Sequence, residues 1–274
     1  MEKFSACEIY TLLNYLKKST FVSCVFPMFL NSMKRFFILA ALVFPFVIEA
    51  CSSEDEEIEK ESKAPTGAVD LGIVMTREDG STYNLYWATS NLCKDGLCPN
   101  PEDYGNYYAW GETKLKYNFW EDTYEFYQGY SEPYSKYNNS DNKTVLETGP
   151  NGDDVASKIL GGKWRMPTYE EWAALCTNCP KWTWTDNYNG TGVAGIILTS
   201  NVSGYKKKSV FLPAAGDKYG TVAITGEVGY YKSSSLNTAN PRDACGVAIS
   251  EGGIALHNNH SRYHGDSIRP VYED

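Results

Sequence analysis

The chain is poor in histidine, in basic charge and in long apolar runs. It holds three histidines, His257, His260 and His264, all within one short C-terminal stretch. Lys and Arg number 25 against 34 Asp and Glu, a formal charge of −9. That balance lacks the basic footprint of a nucleic-acid binder, so no nucleic-acid partner is expected. No apolar run reaches the ~20 residues of a membrane-spanning helix. Internal repeats are absent, and helices and strands do not alternate as a doubly wound fold requires.

What the N-terminal part does contain reads as an export signal. Met33, Lys34 and Arg35 form a basic start, residues 36–48 an apolar run, and Ala50 a small residue before Cys51. Residues 33–50 are therefore expected to be a signal peptide, and residues 1–32 an upstream mis-start. A Cys directly after the small residue resembles a bacterial lipoprotein box, which implies lipidation at Cys51 and a membrane anchor. Between Ser52 and Lys63 lie six acidic and two basic residues. Such a stretch stays solvated and self-repelling, so residues 51–65 read as an acidic tether, and the protein is expected on the outer membrane, exposed at the cell surface.

The remaining residues, 66–274, are enough for one domain with a sizeable core. Thirteen Tyr, Trp and Phe crowd residues 104–137; ring packing in a loop-rich fold is the expected use, and a carbohydrate platform the alternative. Strands are expected at 69–75 and 83–88 around the turn Glu78-Asp79-Gly80, and later at 192–198, 209–213, 229–234, 245–250 and 267–271. Helices are expected at 153–160, stopped by Gly161-Gly162, and from Thr168, where Thr168 and Glu171 form a capping box ahead of Trp172. This pattern is a β-rich α+β domain with two helices and many long loops.

The string from Gly162 to Trp172, GKWRMPTYEEW, resembles the R-L-P-T-x-x-E-W motif of the formylglycine-generating-enzyme-like branch of the C-type lectin fold. Gly229-Tyr230-Tyr231-Lys232-Ser233-Ser234-Ser235 is similar to that group's G-x-Y-W-S-S-S strand, with Lys232 in place of Trp. Arg262, Gly265 and Ser267-Ile268-Arg269-Pro270-Val271 are similar to its terminal R-x-x-G-x-S-V-R-P-V. Val69-Asp70-Leu71-Gly72 and Tyr108-Ala109-Trp110-Gly111-Glu112 resemble the opening of FISUMP domains within the same group. The resemblance implies a C-type-lectin-like fold, with Trp164, Trp172, Trp182, Trp184 and Arg269 as scaffold. It also implies that His257–His264 is a loop leading into the last strand.

Within that fold the chain further resembles variable proteins of diversity-generating retroelements, whose C-terminal binding face is diversified at adenines. Residues 237–266 are rich in Asn and in residues an adenine-mutated Asn codon yields. Asn, Ser, Tyr and His together make an adaptable contact surface. The ligand-binding residues implied are Tyr231, Lys232, Asn240, Arg242, Asp243, Cys245, His257, Asn258, Asn259, His260, Ser261, Tyr263 and His264, with Tyr231 and Tyr263 as aromatic anchors. The expected partner is a protein or glycan on another cell, a phage or a host surface. A fixed-specificity binder and a pilus-tip or envelope subunit remain alternatives.

Enzymatic readings find less support. The oxidases of this fold relationship use a cysteine pair near the C-terminal part of the chain, and the stretch after Cys179 offers Cys245 alone. The i, i+3, i+7 histidine spacing would suit a zinc site on a helix, but Asn258-Asn259 and Gly265 oppose a helix there, so neither a metal nor another cofactor is expected. In an exported protein disulfides come first: Cys93 with Cys98, and Cys176 with Cys179, the rival readings being a Zn(Cys)4 site or cross-pairing.

Overall fold

The turn at Glu78-Asp79-Gly80 forms as its residues require. Asp79 Oδ1 accepts the Ser81 N–H at 2.9 Å, and Gly80 takes φ +82°, a conformation open to glycine. It joins the first two strands of the computed structural model, which describes residues 59–274. The expected signal peptide at 33–50, Cys51 and most of the tether lie outside the described residues.

Along the chain, strands β1 (Ala68–Thr76) and β2 (Thr82–Ala88) precede the short pair β3 (Leu92–Cys93) and β4 (Gly96–Leu97). Helix α1 (Val155–Leu160), strand β5 (Trp164–Arg165) and helix α2 (Tyr169–Asn178) follow. Then come β6 (Lys181–Thr185), β7 (Gly195–Thr199), β8 (Ser209–Pro213), β9 (Lys218–Tyr219) and β10 (Val222–Ala223). The last four strands are β11 (Val228–Leu236), β12 (Asp243–Ser250), β13 (Gly253–Ser261) and β14 (Val271–Glu273). They build three larger sheets, of order β1-β2-β14-β5, β6-β7-β8 and β11-β12-β13, and two two-stranded pairs. All pairings within these sheets are antiparallel. The described residues are thus mostly sheet with two helices, an α+β arrangement.

The motif from Gly162 to Trp172 ties three elements together. Thr168 Oγ1 accepts the Glu171 N–H, while the Thr168 N–H donates to Glu171 Oε2 at 2.8 Å, closing the expected capping box. Arg165 donates to both Glu171 oxygens and to Glu273, so β5, α2 and β14 share one ion-pair network. Trp172 then enters the interior, fully buried, with its ring 4.6 Å from that of Trp87 and 5.9 Å from that of Tyr231. Leu71, Leu85, Leu175, Ile196, Leu212, Val247 and Val271 complete this core. Burying each such side chain is worth about 1.5–3 kcal/mol.

A second core is made of rings. Tyr108, Trp110, Phe119, Tyr124, Phe126, Tyr134 and Tyr137 are buried there with Leu146 and Ile268. At its centre lies the fully buried Arg262, with its guanidinium 4.5 Å from the Trp110 ring centroid and 4.9 Å from that of Tyr134. It donates to the Tyr124 hydroxyl and to the carbonyls of Lys136, Tyr137 and Pro241. The dense aromatic run is therefore mainly packing, as expected. Tyr130, which is 82% exposed, and Tyr117 stay outside it.

Several expectations change. The strand expected at 267–271 begins only at Val271, because the preceding residues turn inward. Arg269 is fully buried and donates to Asn91 Oδ1 and to the carbonyls of Ala88 and Phe211, while the Ile268 and Pro270 carbonyls keep single backbone bonds from Leu92 and Ala88. His257 and His260 lie in a strand, β13, rather than a loop, paired along β12 from Gly253 to Ser261, whereas His264 sits in the expected non-strand segment beyond it. Trp182, expected in the scaffold core, is 41% exposed at the edge of β6. Cys93 and Cys98 form the expected disulfide across the β3–β4 turn. Cys176 and Cys179 are free thiols instead. Cys176 lies within α2 and Cys179 closes its C-terminus with its N–H on Leu175 O, buried among core side chains. Burial pushes the Cys179 thiol up to about 12.

Candidate functional site

The strand period of two assigns the residues of β11 to opposite faces. Tyr231 points into the aliphatic core, fully buried, its hydroxyl donating to Pro213 O at 2.7 Å. Tyr230 and Lys232 point the other way. Across the sheet, Lys232 stands opposite Gly246, and Gly246 opposite His257. A Cβ at 246 would strike the Tyr231 carbonyl oxygen and crowd the His257 ring at 3.3 Å, so glycine admits both the close strand and the imidazole.

His257 and His260 are three apart, and in a regular strand they would face opposite ways. The register shifts between the Ala244–His260 and Gly246–His257 pairs, so β13 carries one extra residue. This bulge brings both imidazoles together, 5.5 Å between ring centroids. The Tyr230 ring stacks on His260 at 4.6 Å and 7°.

Carboxylates close over this face. Asp266, fully buried, pairs with Lys232 Nζ at 2.7 Å and His260 Nε2 at 3.1 Å. Burial alone would raise its pKa, but His260 and Lys232 outweigh burial and hold it well below the usual carboxylate range. Asp217, from the segment before β9, lies 2.7 Å from His264 Nδ1 and 4.0 Å from His260 Nε2. Both ring nitrogens of His257 lack a hydrogen-bond partner among the described residues. Burial, helped by the neighbouring His260, lowers its pKa to about 4.

Beside the histidines, a cleft of about 360 Å3 is lined by Glu121, Tyr130, Tyr134, Asn240, Arg242, Asp243, Ser261 and Tyr263. Arg242 forms its wall: it pairs with Glu121, donates to the carbonyls of Tyr130 and Glu132, and lies 5.1 Å from the Tyr134 ring. Asn240 Nδ2 donates to Asp243 Oδ2 at 2.8 Å. Tyr263, whose ring touches that of His264 at 4.9 Å, joins cleft and histidines.

The expected site residues therefore divide into three groups. Asn240, Arg242, Asp243, Ser261 and Tyr263 share the cleft. His257, His260 and His264 form the adjoining cluster, and Asn258 and Asn259 are exposed beside it. The third group does not reach the surface: Tyr231 is core, Lys232 is 1% exposed in its ion pair with Asp266, and Cys245 is buried with its thiol pushed up to about 11 by desolvation. Their place as ligand contacts is withdrawn, because strand alternation and the covering carboxylates take them inside. Residues missing from the sequence reading are Glu121, Tyr130 and Tyr134 in the cleft, and Asp217 and Tyr230 at the histidines; Asp266 stands beside the histidines in sequence but is not among the expected contacts. Tyr130 and Tyr134 could have been suspected from the aromatic run, whereas nothing near Asp217 in sequence signals its role. No protein-family model, no curated protein and no solved structure matches this chain.

Proposed function

We propose that this chain is a binding protein, held at the cell surface by lipidation at Cys51, with a C-type-lectin-like domain that takes a protein or glycan ligand on the face formed by the cleft and β13. One observation carries the reading. Five residues singled out in the C-terminal segment by its composition and resemblance, Asn240, Arg242, Asp243, Ser261 and Tyr263, line one cleft with Glu121, Tyr130 and Tyr134 of the aromatic-rich segment, Glu121 lying 121 positions from Arg242. Its volume suits a saccharide unit or a short polar peptide. Exposed tyrosine with amide and carboxylate groups is the chemistry of such recognition. No catalytic step is assigned to the face.

The test is binding of the purified protein to a glycan array and to intact cells of neighbouring species, with Tyr263→Ala and Asn240→Ala in parallel. Specific binding that both variants lose at unchanged melting temperature is the expected result. Equal binding by wild type and variants would overturn the assignment. Sequencing the codons for residues 230–271 across cells of one population separates a diversified face from a fixed one. Substitutions confined to template adenines are the mark of the first, and an invariant segment favours a fixed adhesin or an envelope subunit.

A further inference from the structure

We propose that Asp217, His260 and His264 form a zinc site. One carboxylate oxygen and two imidazole nitrogens lie within 4.8 Å of one another. Two nitrogens and one oxygen are the donor set of open zinc sites, in which three protein ligands leave a position for water. Calcium and magnesium prefer all-oxygen shells. This ligand set differs from a three-histidine helix face, since Asp217 replaces His257.

The spacing fits an ion after small side-chain movements. With zinc bonds of about 2.1 Å, neighbouring ligands of a tetrahedral ion stand about 3.4 Å apart. The Asp217–His264 pair is at 2.7 Å and the Asp217–His260 pair at 4.0 Å, on either side of that value. Asp266 Oδ1 lies against the same His260 nitrogen at 3.1 Å. The ion would draw the imidazole away from it or take that oxygen as a further ligand.

The backbone that carries these ligands is fixed. On one side of Asp217, the Gly216 N–H donates to Val228 O and the Tyr230 N–H to Gly216 O. On the other, Lys218 and Gly265 exchange two backbone hydrogen bonds at 2.7 and 2.9 Å, which holds Asp217 against His264. His260 sits on β13 with its ring stacked on Tyr230. Binding would therefore require little ordering of the chain, the usual penalty in forming a metal site.

Charge favours a cation. Around the cluster, Asp217 and Asp266 carry two negative charges and Lys232 one positive, which leaves one negative charge uncompensated while the imidazoles are neutral, as ligands must be. The side chains are between 14% and 19% exposed, so an ion can enter and keep bound water.

The test uses the purified full chain, stripped with chelator and titrated with zinc chloride in a calorimeter. The expected result is saturable binding of one equivalent. Asp217→Asn and His264→Ala should each weaken it by more than about 100-fold, beyond the usual cost of losing an outer-shell partner. Thr168→Ala, in the capping box of α2, should leave the affinity unchanged. Cobalt(II) substitution of the wild type supplies a readout independent of variant folding: intense visible bands of a four- or five-coordinate ion support the site, and the spectrum of the hydrated ion overturns it. No saturable equivalent, or binding that persists in the Asp217→Asn, His264→Ala double variant, means an adventitious ion only and overturns it as well.

Discussion

The two faces of the β11-β12-β13 sheet are built from the same strands and do opposite work. The inner face sets Tyr231, Val247 and Ile249 against Trp172 and Leu175, all at most 1% exposed. The outer face sets Tyr230, Lys232, His257 and His260 beneath Asp217 and Asp266. Both faces are covered, yet only the inner one is apolar. Burial by itself does not identify a core: the inner face gains from leaving water, whereas the outer one must satisfy charges that have been taken out of it.

Substitutions can sharpen this contrast. Trp172→Ala should cost about 4 kcal/mol in urea-induced unfolding, since it removes the largest ring of the inner face and leaves a cavity. A loss below about 1 kcal/mol would mean that the inner face is not the stabilising one. On the outer face, Lys232→Met alone should cost about 3 kcal/mol, because Asp266 keeps a buried charge without its ammonium partner. Combined with Asp266→Leu, most of that loss should be recovered, as for other buried pairs exchanged for apolar groups. If the double variant is as unstable as the single one, the cost lies in packing and the two faces are alike.

A third prediction concerns pH, measured in chelator. The folded-state pKa of His257 is lowered to about 4 from the ordinary 6.5. Between these values the unfolded chain binds a proton that the folded chain does not, so stability rises with pH across this window and is lost as pH falls through it. His257→Gln should flatten that slope, removing on the order of 1–2 kcal/mol of the change once the partial exposure of the ring is allowed for. An unaltered slope would show that other groups carry it. The smallest effect is expected at the capping box: Thr168→Ala should cost about 1 kcal/mol in thermal unfolding and leave the outer face untouched.

Legibility in the sequence followed the range of the interactions. The Asp79-Gly80 turn, the Thr168–Glu171 cap, α1 within two residues of its expected start, strand β8 and the Cys93–Cys98 bridge all depend on neighbours in the chain. Of the candidate site, the exposed members could be read from composition, because asparagine, tyrosine and histidine gather where contacts are adaptable. Tyr231, Lys232 and Cys245 were misplaced, because facing is fixed by register and cover rather than by residue type. Strand β13 escaped because Gly253–Ser261 shows no clean apolar alternation: it is an edge strand with four of its nine residues exposed.

By itself the sequence determined the local pieces: which turns close, where helix α2 begins, where several strands run, and that the polar end of the chain collects groups suited to contact. Only the tertiary structure decided that a bulge turns His257 and His260 to one side, that Arg262 sits inside a box of rings, and that Asp217 is clamped beside His264. Those outcomes depend on pairings between residues tens to more than a hundred positions apart. Their geometry is set by backbone hydrogen bonds and packing that exist only once the chain has folded.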